Sequence, residues 1–600
     1  MPYTKQQIKD ILMRHQSAPL FTEKQKIASN AKHESFAEEM KKIFDIAEEA
    51  MAQPERALSF SMYKEFEVNG SRYPYEAIYM ERRKKLNALV LTACVTGDDK
   101  YIPYIEEELW TWSNEFAWAL PAHFDKDLLN PNGMEGVPHA ETIDLCAAET
   151  AYMLAEIDAV LEDRLSPFIR SMMKKETKRR VLMSFLNPNH SFWWEYCDHN
   201  WAAVCGCSVA AAAMYYLNDA EQLADIIYRV IASMERFLSG YNKDGACVEG
   251  VSYWGYGFSY FIFFAELLKE RTEGEINLTS TEKIHQIALY LQRCRTVKNK
   301  VINFSDSADI FTYRICLLHK LKSIFPDVIV PPEKYAMRCG ADHCFRWAGF
   351  IRDYTWFEPD FCGCVDKTEE NYFFSDAQIY ITHKNGACFA VTGGNNGYNH
   401  NHNDLGHFMY YSGGEDIFVD IGQGVYCKGY FDEEKRYGFI NNSSCGHSVP
   451  QVGGWKQLSG REHYVEDMQV VRGESDFVEM ELAKAYGRDV IQSLRRRFEF
   501  RADGSLILSD SFILTEANTI SERFVVDVTC APEQKDGYIV LKKNDVTLRL
   551  MYDKCFTEVN FENLPYELRS TSRSKGIYII TLTVEKATKL LETVFKIEKI

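Results

Sequence analysis

The chain has 600 residues, 46% of them hydrophobic and 14% aromatic, which is enough for two or more domains with large apolar cores. Its formal net charge of -18 argues against a protein that binds nucleic-acid backbones, because such proteins present a basic field. The amino terminus lacks the apolar core and cleavage site of a secretory signal, and the longest apolar run, 256–268, is too short to span a membrane. We therefore expect a cytoplasmic protein with no nucleic-acid and no membrane partner.

We interpret the cysteines and the short basic runs as structural features and not as functional sites. Seventeen cysteines form an odd set without a small-domain disulfide framework, which fits reduced thiols. Two Cys-Gly-Cys triplets, at 205–207 and 362–364, lack the usual Cys-x-x-Cys spacing, so we interpret them as buried free thiols. Short basic runs are interpreted as solvated faces of helices or strands. These runs lie at 82–85, 174–175, 178–180 and 495–497.

The first half of the chain has a helical pattern. From Lys5 to about residue 325, apolar residues recur at spacings of three and four, with few β-branched runs. Residues 86–112 and 209–238 share one plan, in which an apolar helix, a tight Gly or Asn-Asp turn and an amphipathic helix follow each other. Repeated helical hairpins bury their inner faces by stacking, either in an open solenoid or in a closed α/α toroid. The pattern does not distinguish the two.

The second half has a β pattern. After Pro331 and Pro332, alternating or β-branched segments are separated by Gly, Asn and Asp turns. Such short strands predict stacked antiparallel sheets rather than a βαβ fold. We therefore predict an α+β multidomain protein, with a helical domain at 1–350 and an antiparallel β-sandwich domain at 351–600.

A histidine cluster precedes one of the predicted strands. Residues 399–407 read NHNHNDLGH and lead into a β-rich run at 408–420. If this cluster is a strand, its side chains alternate, so that His400, His402 and Asp404 lie on one face. Imidazole can bind a metal or move a proton near neutral pH, so the two histidines can divide these tasks. The alternative is a polar strand end with exposed histidines.

Three segments of the helical half also carry polar or aromatic groups. Residues 193–201 place His199 and Asn200 before an Ala-rich helix, where the helix dipole favours a bound anion. Residues 244–257 form a turn-rich loop with several Tyr and Trp side chains, and loops at the ends of helical hairpins often carry function. A third segment, 120–141, contains His123 and is less specific, because its polar residues are also compatible with helix capping.

In order and domain placement, these motifs resemble the heparinase II/III-like family of polysaccharide lyases over most of the chain. In that family an α/α toroid precedes a β-sandwich, and an asparagine precedes an Ala/Gly-rich helix. A tyrosine follows Asp-Gly-x-x-x-Glu, and a His-x-His-x-Asp-x-Gly strand opens the β half. The matching positions here are Asn200, then Asp244, Gly245, Glu249 and Tyr253, then His400, His402, Asp404 and Gly406. Many members have Asn-Asn-Trp where this chain has His199-Asn200-Trp201, so the group that binds the carboxylate stays open between His199 and Asn200.

The resemblance implies β-elimination at a uronic acid. Asn200, with His199, would hydrogen-bond the sugar carboxylate and stabilise the charge that develops when the C5 proton leaves. Tyr253 would protonate the departing O4, and it would also act as the base when proton and leaving group lie on one face. His400 would be the base for the opposite epimer. Tyr256 is the reserve candidate for the tyrosine. Substrate-binding roles are assigned to Tyr256, Glu249, Trp201, His123 and Arg82.

The resemblance also implies a divalent metal, usually zinc and sometimes manganese, in the β domain. His402, Asp420 and His447 occupy the positions expected for its ligands, and two histidines with one carboxylate suit zinc. We expect a structural ion that braces the loop presenting His400. The alternative is that His447 caps a turn after 441–444.

We therefore expect a cytoplasmic lyase that acts on uronate-containing oligosaccharides or polysaccharides. Oligosaccharides of glycosaminoglycans such as heparan, chondroitin or hyaluronan come first, and an oligoalginate lyase of the same mechanism is the alternative. A glycoside hydrolase on the same toroid would need two carboxylates, which Glu141, Asp144 and Glu249 can supply. A carbohydrate-binding protein without turnover is the third hypothesis. Formation of a homo-oligomer, and endo or exo action, stay open.

Overall fold

The computed structural model describes residues 3–53, 56–124, 127–362, 370–426, 429–432, 434–567 and 574–600. The chain divides into two compact units. The first comprises Met1–Gly240, Gly255–His285 and Thr312–Cys364, and the second comprises Tyr241–Trp254, Gln286–Phe311 and Val365–Ile600. Two segments from the half with a helical pattern therefore cluster with the β unit. They carry Tyr253 and Asp306.

The first unit consists mainly of α-helices and short 3₁₀ turns. Its helices, with the short α13 and α16 of the second unit and α15 at the division, are α1 (Lys5–Arg14), α2 (Ile27–Asn30), α3 (Ala37–Ala52), α4 (Phe60–Tyr63), α5 (Glu65–Asn69), α6 (Tyr73–Thr96), α7 (Ile102–Asn114), α8 (Leu145–Leu161), α9 (Pro167–Thr177), α10 (Met183–Leu186), α11 (Asn200–Tyr216), α12 (Ala220–Ser239), α13 (Val251–Tyr253), α14 (Ser259–Arg271), α15 (Glu282–Ala288), α16 (Tyr290–Cys294), α17 (Ile315–Ile324) and α18 (Trp347–Thr355). Among the helices of the described residues, none combines the length and apolar character needed to cross a membrane.

Both predicted helical hairpins are present. Helix α6 ends at Thr96, where Gly97 has φ 70°, a conformation that glycine adopts without a steric penalty, and α7 follows after one 3₁₀ turn. Helix α12 begins after Asp219, whose carboxylate accepts hydrogen bonds from the backbone N–H groups of Glu221 and Gln222. Helix α11 packs against α8, α12 and α14, and it is almost entirely buried. Its small residues let the surrounding helices approach closely.

Several basic residues that we expected to face solvent are buried. Arg82 and Arg83 on α6 are each 1% exposed, and they pair with Glu115 and Glu149. Lys85 and Arg180 are buried as well, and in the second unit Arg496 is fully buried. The interpretation as solvated faces is wrong for these five residues, because each meets a carboxylate that compensates for the loss of water. The burial of Arg82 also argues against its predicted contact with a sugar.

The second unit is built from antiparallel strands. They are β1 (Tyr372–Phe374), β2 (Ile379–Lys384), β3 (Ala387–Thr392), β4 (Asn395–Asn396), β5 (Phe408–Ser412), β6 (Glu415–Phe418), β7 (Gln451–Val452), β8 (Gly460–Tyr464), β9 (Glu466–Val471), β10 (Asp476–Glu481), β11 (Ile491–Phe500), β12 (Leu506–Asp527), β13 (Glu533–Lys535), β14 (Tyr538–Lys543), β15 (Val546–Tyr552), β16 (Glu558–Glu567) and β17 (Ser574–Lys599), with α19 (Ala483–Tyr486) between β10 and β11. Every pairing between these strands is antiparallel.

Two long strands connect the parts of the sheet. The first part of β12 pairs with β11, its second part pairs with β7 and β6, and β17 runs beside it throughout. The register of β12 and β17 shifts between Ile513 and Ile520, an irregularity that lets long strands bend. Large apolar side chains from β2, β3, β5, β10, β11, β12 and β17 then form one continuous core. The predicted antiparallel β architecture is confirmed.

The described cysteines are all free thiols. Cys205 and Cys207 are buried, as expected for the first Cys-Gly-Cys triplet. Cys362 is half-buried, and Cys364 lies outside the described residues.

Candidate active site

A tyrosine and a histidine stack on each other in the second unit. Tyr253, the last residue of α13, lies with its ring 4.2 Å from the ring of His400 at an interplanar angle of 28°. The two phenol oxygens of Tyr253 and Tyr426 are 2.5 Å apart. Burial, followed by the neighbouring Tyr426 and Asp306, raises the pKa of Tyr253 well above its ordinary value. Tyr253 is therefore a protonated phenol at neutral pH, the form that a general acid requires.

The segment that carries His400 is a loop and not the predicted strand. His400 has φ 58° and Gly406 has φ 84°, both in the left-handed region, and β5 starts only at Phe408. The expectation that His400, His402 and Asp404 share a face through strand alternation is therefore wrong. His400 and His402 are brought close because both contact one residue distant in sequence, Asp306.

The two ring nitrogens of His400 have different surroundings. Its Nδ1 lies 2.9 Å from Asp306 Oδ2, and its Nε2 lies 3.7 Å from Glu249 Oε2. An ionised carboxylate only accepts hydrogen bonds, so the short contact assigns the ring proton to Nδ1 and leaves Nε2 as the basic atom. Both carboxylates would stabilise the imidazolium that forms when Nε2 takes a proton. Glu249, which we expected to bind substrate, thus lies beside the candidate base.

His402, Asp420 and His447 form a buried cluster whose donor atoms all lie within 4.8 Å of one another. In the described part of the chain, His402 Nδ1, His447 Nδ1 and Asp420 Oδ2 have no hydrogen-bond partner. The other nitrogens of the two rings are engaged, His402 Nε2 with Asp306 Oδ1 at 3.1 Å and His447 Nε2 with the Asn441 carbonyl at 2.9 Å. Buried polar atoms without partners are uncommon, and two imidazoles and a carboxylate with free lone pairs are a donor set that suits zinc or manganese.

Two further ionisable residues border this cluster. His407 Nε2 lies 3.2 Å from Asp420 Oδ2, while its Nδ1 accepts a hydrogen bond from the backbone N–H of Ser448 at 2.9 Å. Burial lowers the pKa of His407 to about 4 and raises the pKa of Asp404 to about 7. Because Nδ1 accepts this hydrogen bond, a neutral His407 carries its proton on Nε2, the atom that faces Asp420.

In the first unit, Asn200 is the first residue of α11 and is 5% exposed. His199 immediately precedes the helix and makes no capping hydrogen bond with its side chain. The backbone of Gly257 approaches so closely that an added Cβ would lie 3.2 Å from Asn200 Cβ. Asn200 thus lies at the positive end of a helix of 17 residues, where a side-chain amide can donate to an anion.

The aromatic residues beside Asn200 form a partly exposed group. The ring of Trp201 lies 4.9 Å from the rings of both His123 and Trp193, and Trp193 is 44% exposed. His123 Nδ1 is 2.6 Å from Asp144 Oδ2, and Asp144 also caps α8. These contacts hold Trp201 in place, and they give Asp144 a structural task that disfavours the hydrolase hypothesis.

The hydroxyl of Tyr256 is hydrogen-bonded to a buried carboxylate of the first unit. Its hydroxyl donates to Glu149 Oε1 at 3.0 Å, and the guanidinium of Arg346 lies 4.1 Å from the centre of its ring. Glu149 also accepts hydrogen bonds from Arg83 and Tyr260. The Tyr256 hydroxyl donates to a carboxylate, whereas the Tyr253 hydroxyl meets another phenol and its ring stacks on the candidate base, so Tyr256 is the weaker candidate for the catalytic tyrosine.

Sequence reasoning missed four residues around the Tyr253–His400 pair, namely Asp306, Tyr426, Tyr430 and Arg436. Asp306 lies within a short Ser-Asp-Ser sequence that matches no motif, and it is 94 positions from His400. The Tyr and Arg residues lie in a region whose sequence suggests only a loop. Their positions depend on long-range packing, so no local signal in the sequence identifies them.

Comparison with known proteins supports the resemblance. Residues 367–577 match the family model described as heparinase II/III-like, C-terminal. A search of curated proteins found no match. The predicted resemblance to this family is confirmed for the matched residues.

Solved structures of polysaccharide-degrading enzymes share the fold of the chain. A crystal structure of heparinase III aligns with a TM-score of 0.63 and 14% identity, over 95% of this chain and 92% of that one. A mutant of the heparan sulfate lyase HepC from Pedobacter heparinus aligns with a TM-score of 0.62 and 13% identity, with the same coverage of 95% and 92%. A Paenibacillus xanthan lyase aligns with a TM-score of 0.52 and 10% identity, over 99% of this chain and 60% of that one. The predicted fold class, an α/α toroid followed by a β-sandwich, is confirmed.

Proposed function

We propose that this chain, whose residues 367–577 form a heparinase II/III-like C-terminal domain, is a polysaccharide lyase that cleaves uronate-containing glycans by β-elimination. The observation that carries the proposal is the stacked pair of Tyr253 and His400, with the ring proton of His400 held by Asp306. A protonated phenol beside a neutral imidazole supplies the acid and the base that elimination requires. The shared fold with heparinase III and HepC supports the same reaction class.

In the proposed reaction, a base removes the proton at C5 of the uronate, and the electron pair forms a double bond between C4 and C5. The C4–O4 bond breaks, and Tyr253 delivers a proton to O4. Asn200 donates to the sugar carboxylate and stabilises the negative charge that develops there, an effect worth about 3 to 4 kcal/mol for a well-placed donor. His199 is the neighbouring candidate for this task.

The relative orientation of the C5 proton and O4 decides which residue acts as the base. In iduronate they lie on opposite faces of the ring, so His400 Nε2 removes the proton while Tyr253 protonates O4. In glucuronate they lie on the same face, so Tyr253 must first ionise, take the proton and then return it to O4. Because the two rings stack on each other, we propose that one substrate meets both groups and that the enzyme handles both epimers.

We further propose that His402, Asp420 and His447 hold a divalent cation, zinc or manganese. The fit rests on their buried lone pairs, which have no hydrogen-bond partner among the described residues. When bound, the ion would supply a fixed positive charge that ties the loop of His402 to the segments of Asp420 and His447. This role is structural, and the residues that contact the sugar lie elsewhere.

For the substrate, we propose a glycosaminoglycan such as heparan, chondroitin or hyaluronan, and short oligosaccharides in preference to long sulfated chains. The net charge of -18 disfavours a long polyanion, because it would be repelled by the acidic surface. Partly exposed aromatic rings such as Trp193 and Trp201 offer faces for sugar rings. Oligoalginate is the alternative uronate substrate.

The test is to incubate the purified protein with oligosaccharides of heparan, chondroitin, hyaluronan and alginate, and to follow ultraviolet absorbance. Elimination creates a conjugated 4,5-unsaturated uronate that absorbs, whereas hydrolysis produces reducing ends without this chromophore. We expect absorbance with at least one glycosaminoglycan. New reducing ends without absorbance would show that the protein is a hydrolase and not a lyase. Binding without products would indicate a carbohydrate-binding protein.

A further inference from the structure

Asp306 is a fully buried carboxylate that contacts four side chains of the second unit. Oδ2 lies 2.9 Å from His400 Nδ1 and 3.0 Å from Arg436 Nη2, and Oδ1 lies 3.1 Å from His402 Nε2 and 2.7 Å from the Tyr430 hydroxyl. Its side chain has no exposed surface. Both carboxylate oxygens therefore accept hydrogen bonds in the protein interior, and all four partners are side chains of this chain.

The ionisation state of Asp306 follows from these partners. The guanidinium of Arg436, which is charged at neutral pH, lies 3.0 Å from Oδ2, and the Tyr430 hydroxyl lies 2.7 Å from Oδ1, so two donors besides the histidines favour the ionised carboxylate. Asp306 is thus an anion that can only accept protons in hydrogen bonds. Each of the two histidines must then present an N–H group to it.

This requirement fixes the tautomers of both rings. His400 carries its proton on Nδ1, so the lone pair is on Nε2, on the side of Glu249. His402 carries its proton on Nε2, so the lone pair is on Nδ1, the atom that belongs to the cluster with Asp420 and His447. The two neighbouring histidines therefore carry opposite tautomers, imposed by a single carboxylate.

We propose that Asp306 is the positioning residue that couples the catalytic base to the metal site. It directs the lone pair of His400 toward the substrate and the lone pair of His402 toward the cation. This inference rests on the proposed lyase function for its catalytic half, and the metal half stands separately. A carboxylate behind a histidine commonly sets the tautomer and orientation of the ring, in hydrolytic triads and in metal sites alike. Here the single carboxylate of Asp306 positions both the catalytic histidine and the metal-binding histidine.

The backbone around Asp306 is built to keep this position. The N–H of Asp306 donates to the carbonyl of His400 at 3.2 Å, so the two residues are joined through backbone and side chain. Gly250 and Gly422 both approach Ser307 closely, and an added Cβ would lie 2.6 Å from Ser307 Cβ and 2.5 Å from Ser307 O, respectively. A side chain at either glycine would displace the Asp306 segment.

The experiment compares the wild-type chain with Asp306→Asn and with the matched control Asp309→Asn. Asp309 is also a largely buried carboxylate of the second unit, but it forms an ion pair with Lys300 at 2.6 Å. The control therefore removes another largely buried negative charge of the same unit. Three quantities are measured on each protein, namely kcat and KM for elimination, affinity for zinc by competition with a chelator, and histidine tautomers by ¹⁵N NMR.

For Asp306→Asn we expect kcat to fall by about 10²- to 10⁴-fold with KM changed by less than about threefold, because the base is misoriented while the sugar contacts remain. Zinc affinity should fall by about 10- to 100-fold, as for loss of a carboxylate behind a metal-binding histidine. The NMR signals of His400 and His402 should lose their single tautomers. Asp309→Asn should leave all three quantities near the wild-type values.

The inference is overturned if Asp306→Asn matches Asp309→Asn in kcat and zinc affinity. It is also overturned if wild-type His400 carries its proton on Nε2, or wild-type His402 carries it on Nδ1, a measurement that needs no folded variant. If the wild type forms no unsaturated product from any glycan, the proposed function fails, whereas the tautomers and the zinc affinity still decide the role of Asp306.

Discussion

Tyr253 is the residue on which the proposed chemistry depends most. Replacing Tyr253 by Phe keeps the ring that stacks on His400 and removes only the hydroxyl that would protonate O4. We expect kcat to fall by about 10²- to 10⁴-fold with little change in KM. The measurement is the initial rate of unsaturated product formation under substrate saturation.

The matched control for this substitution is Tyr290→Phe. Tyr290 is a buried tyrosine of the second unit, and its hydroxyl donates to the Cys247 carbonyl at 3.0 Å. Its loss should affect stability slightly and leave kcat unchanged. Equal losses of rate in the two variants would show that the Tyr253 hydroxyl has no chemical role.

The pH dependence should differ between the two uronate epimers. Because the pKa of Tyr253 is raised above its ordinary value, only a small fraction is ionised at neutral pH, and this fraction rises about tenfold per pH unit below the pKa. With glucuronate, where Tyr253 must act as the base, kcat/KM should rise through pH 8 and 9. With iduronate, where the protonated phenol is the active form, no such rise is expected. Parallel profiles for defined glucuronate and iduronate oligosaccharides would contradict the assignment of the two roles.

At the level of single residues, the sequence motifs lead to Tyr253, His400 and the three proposed metal ligands, but they give the wrong local structure for the histidines. Strand alternation does not relate His400 to His402, because His400 has a left-handed backbone. The two histidines are related instead by their shared contact with Asp306. Its role could not be predicted, since a contact between residues 94 positions apart leaves no trace in one sequence.

At the level of elements, local signals predict the helical hairpins well. The glycine at the end of α6 and the aspartate before α12 are terminal signals that act within a few residues. The burial of several basic residues could not be predicted, because charge patterns do not reveal which carboxylate a residue will meet. The assignment of Tyr241–Trp254 and Gln286–Phe311 to the second unit also escapes local patterns, since it results from packing against the β half.

Arg496 on β11 connects the sheet to the loops of His407 and His447 through hydrogen bonds and ion pairs. Its guanidinium contacts Asp510 at 2.7 Å and Glu522 at 3.2 Å, and it donates to the carbonyls of Gly406 and Ser448 at 3.0 and 2.8 Å. Replacing Arg496 by Met should lower the free energy of unfolding of the β unit by about 3 to 5 kcal/mol, because a buried carboxylate loses its partner. Equilibrium unfolding in urea measures this change.

The control is the neighbouring Arg495→Met. The side chain of Arg495 is 56% exposed and pairs with Glu479, so its loss should cost less than about 1 kcal/mol. If both variants unfold at the same urea concentration, the buried network around Arg496 does not stabilise the unit.

At the level of the whole molecule, removal of metal should reveal whether the buried cluster holds a cation. Protein dialysed against a chelator should be less stable than protein with added zinc or manganese, by about 2.7 kcal/mol when the free metal is at 100 times its Kd. His402→Ala should abolish this difference, whereas His463→Ala, whose Nδ1 lies 2.9 Å from the Lys484 carbonyl outside the cluster, should retain it. Thermal unfolding and elemental analysis are the measurements. A wild type that binds no metal and gains no stability would refute the assigned ligands.

The central claim, cleavage of a uronate glycan by elimination, is tested most directly by the masses of the products. A defined glycosaminoglycan oligosaccharide is digested with the wild type and with Tyr253→Phe, and the fragments are weighed by mass spectrometry. Elimination predicts that the fragment masses sum to the mass of the substrate, with one fragment unsaturated, and that Tyr253→Phe yields almost none. Fragments that together exceed the substrate by one water molecule would show hydrolysis and contradict the account.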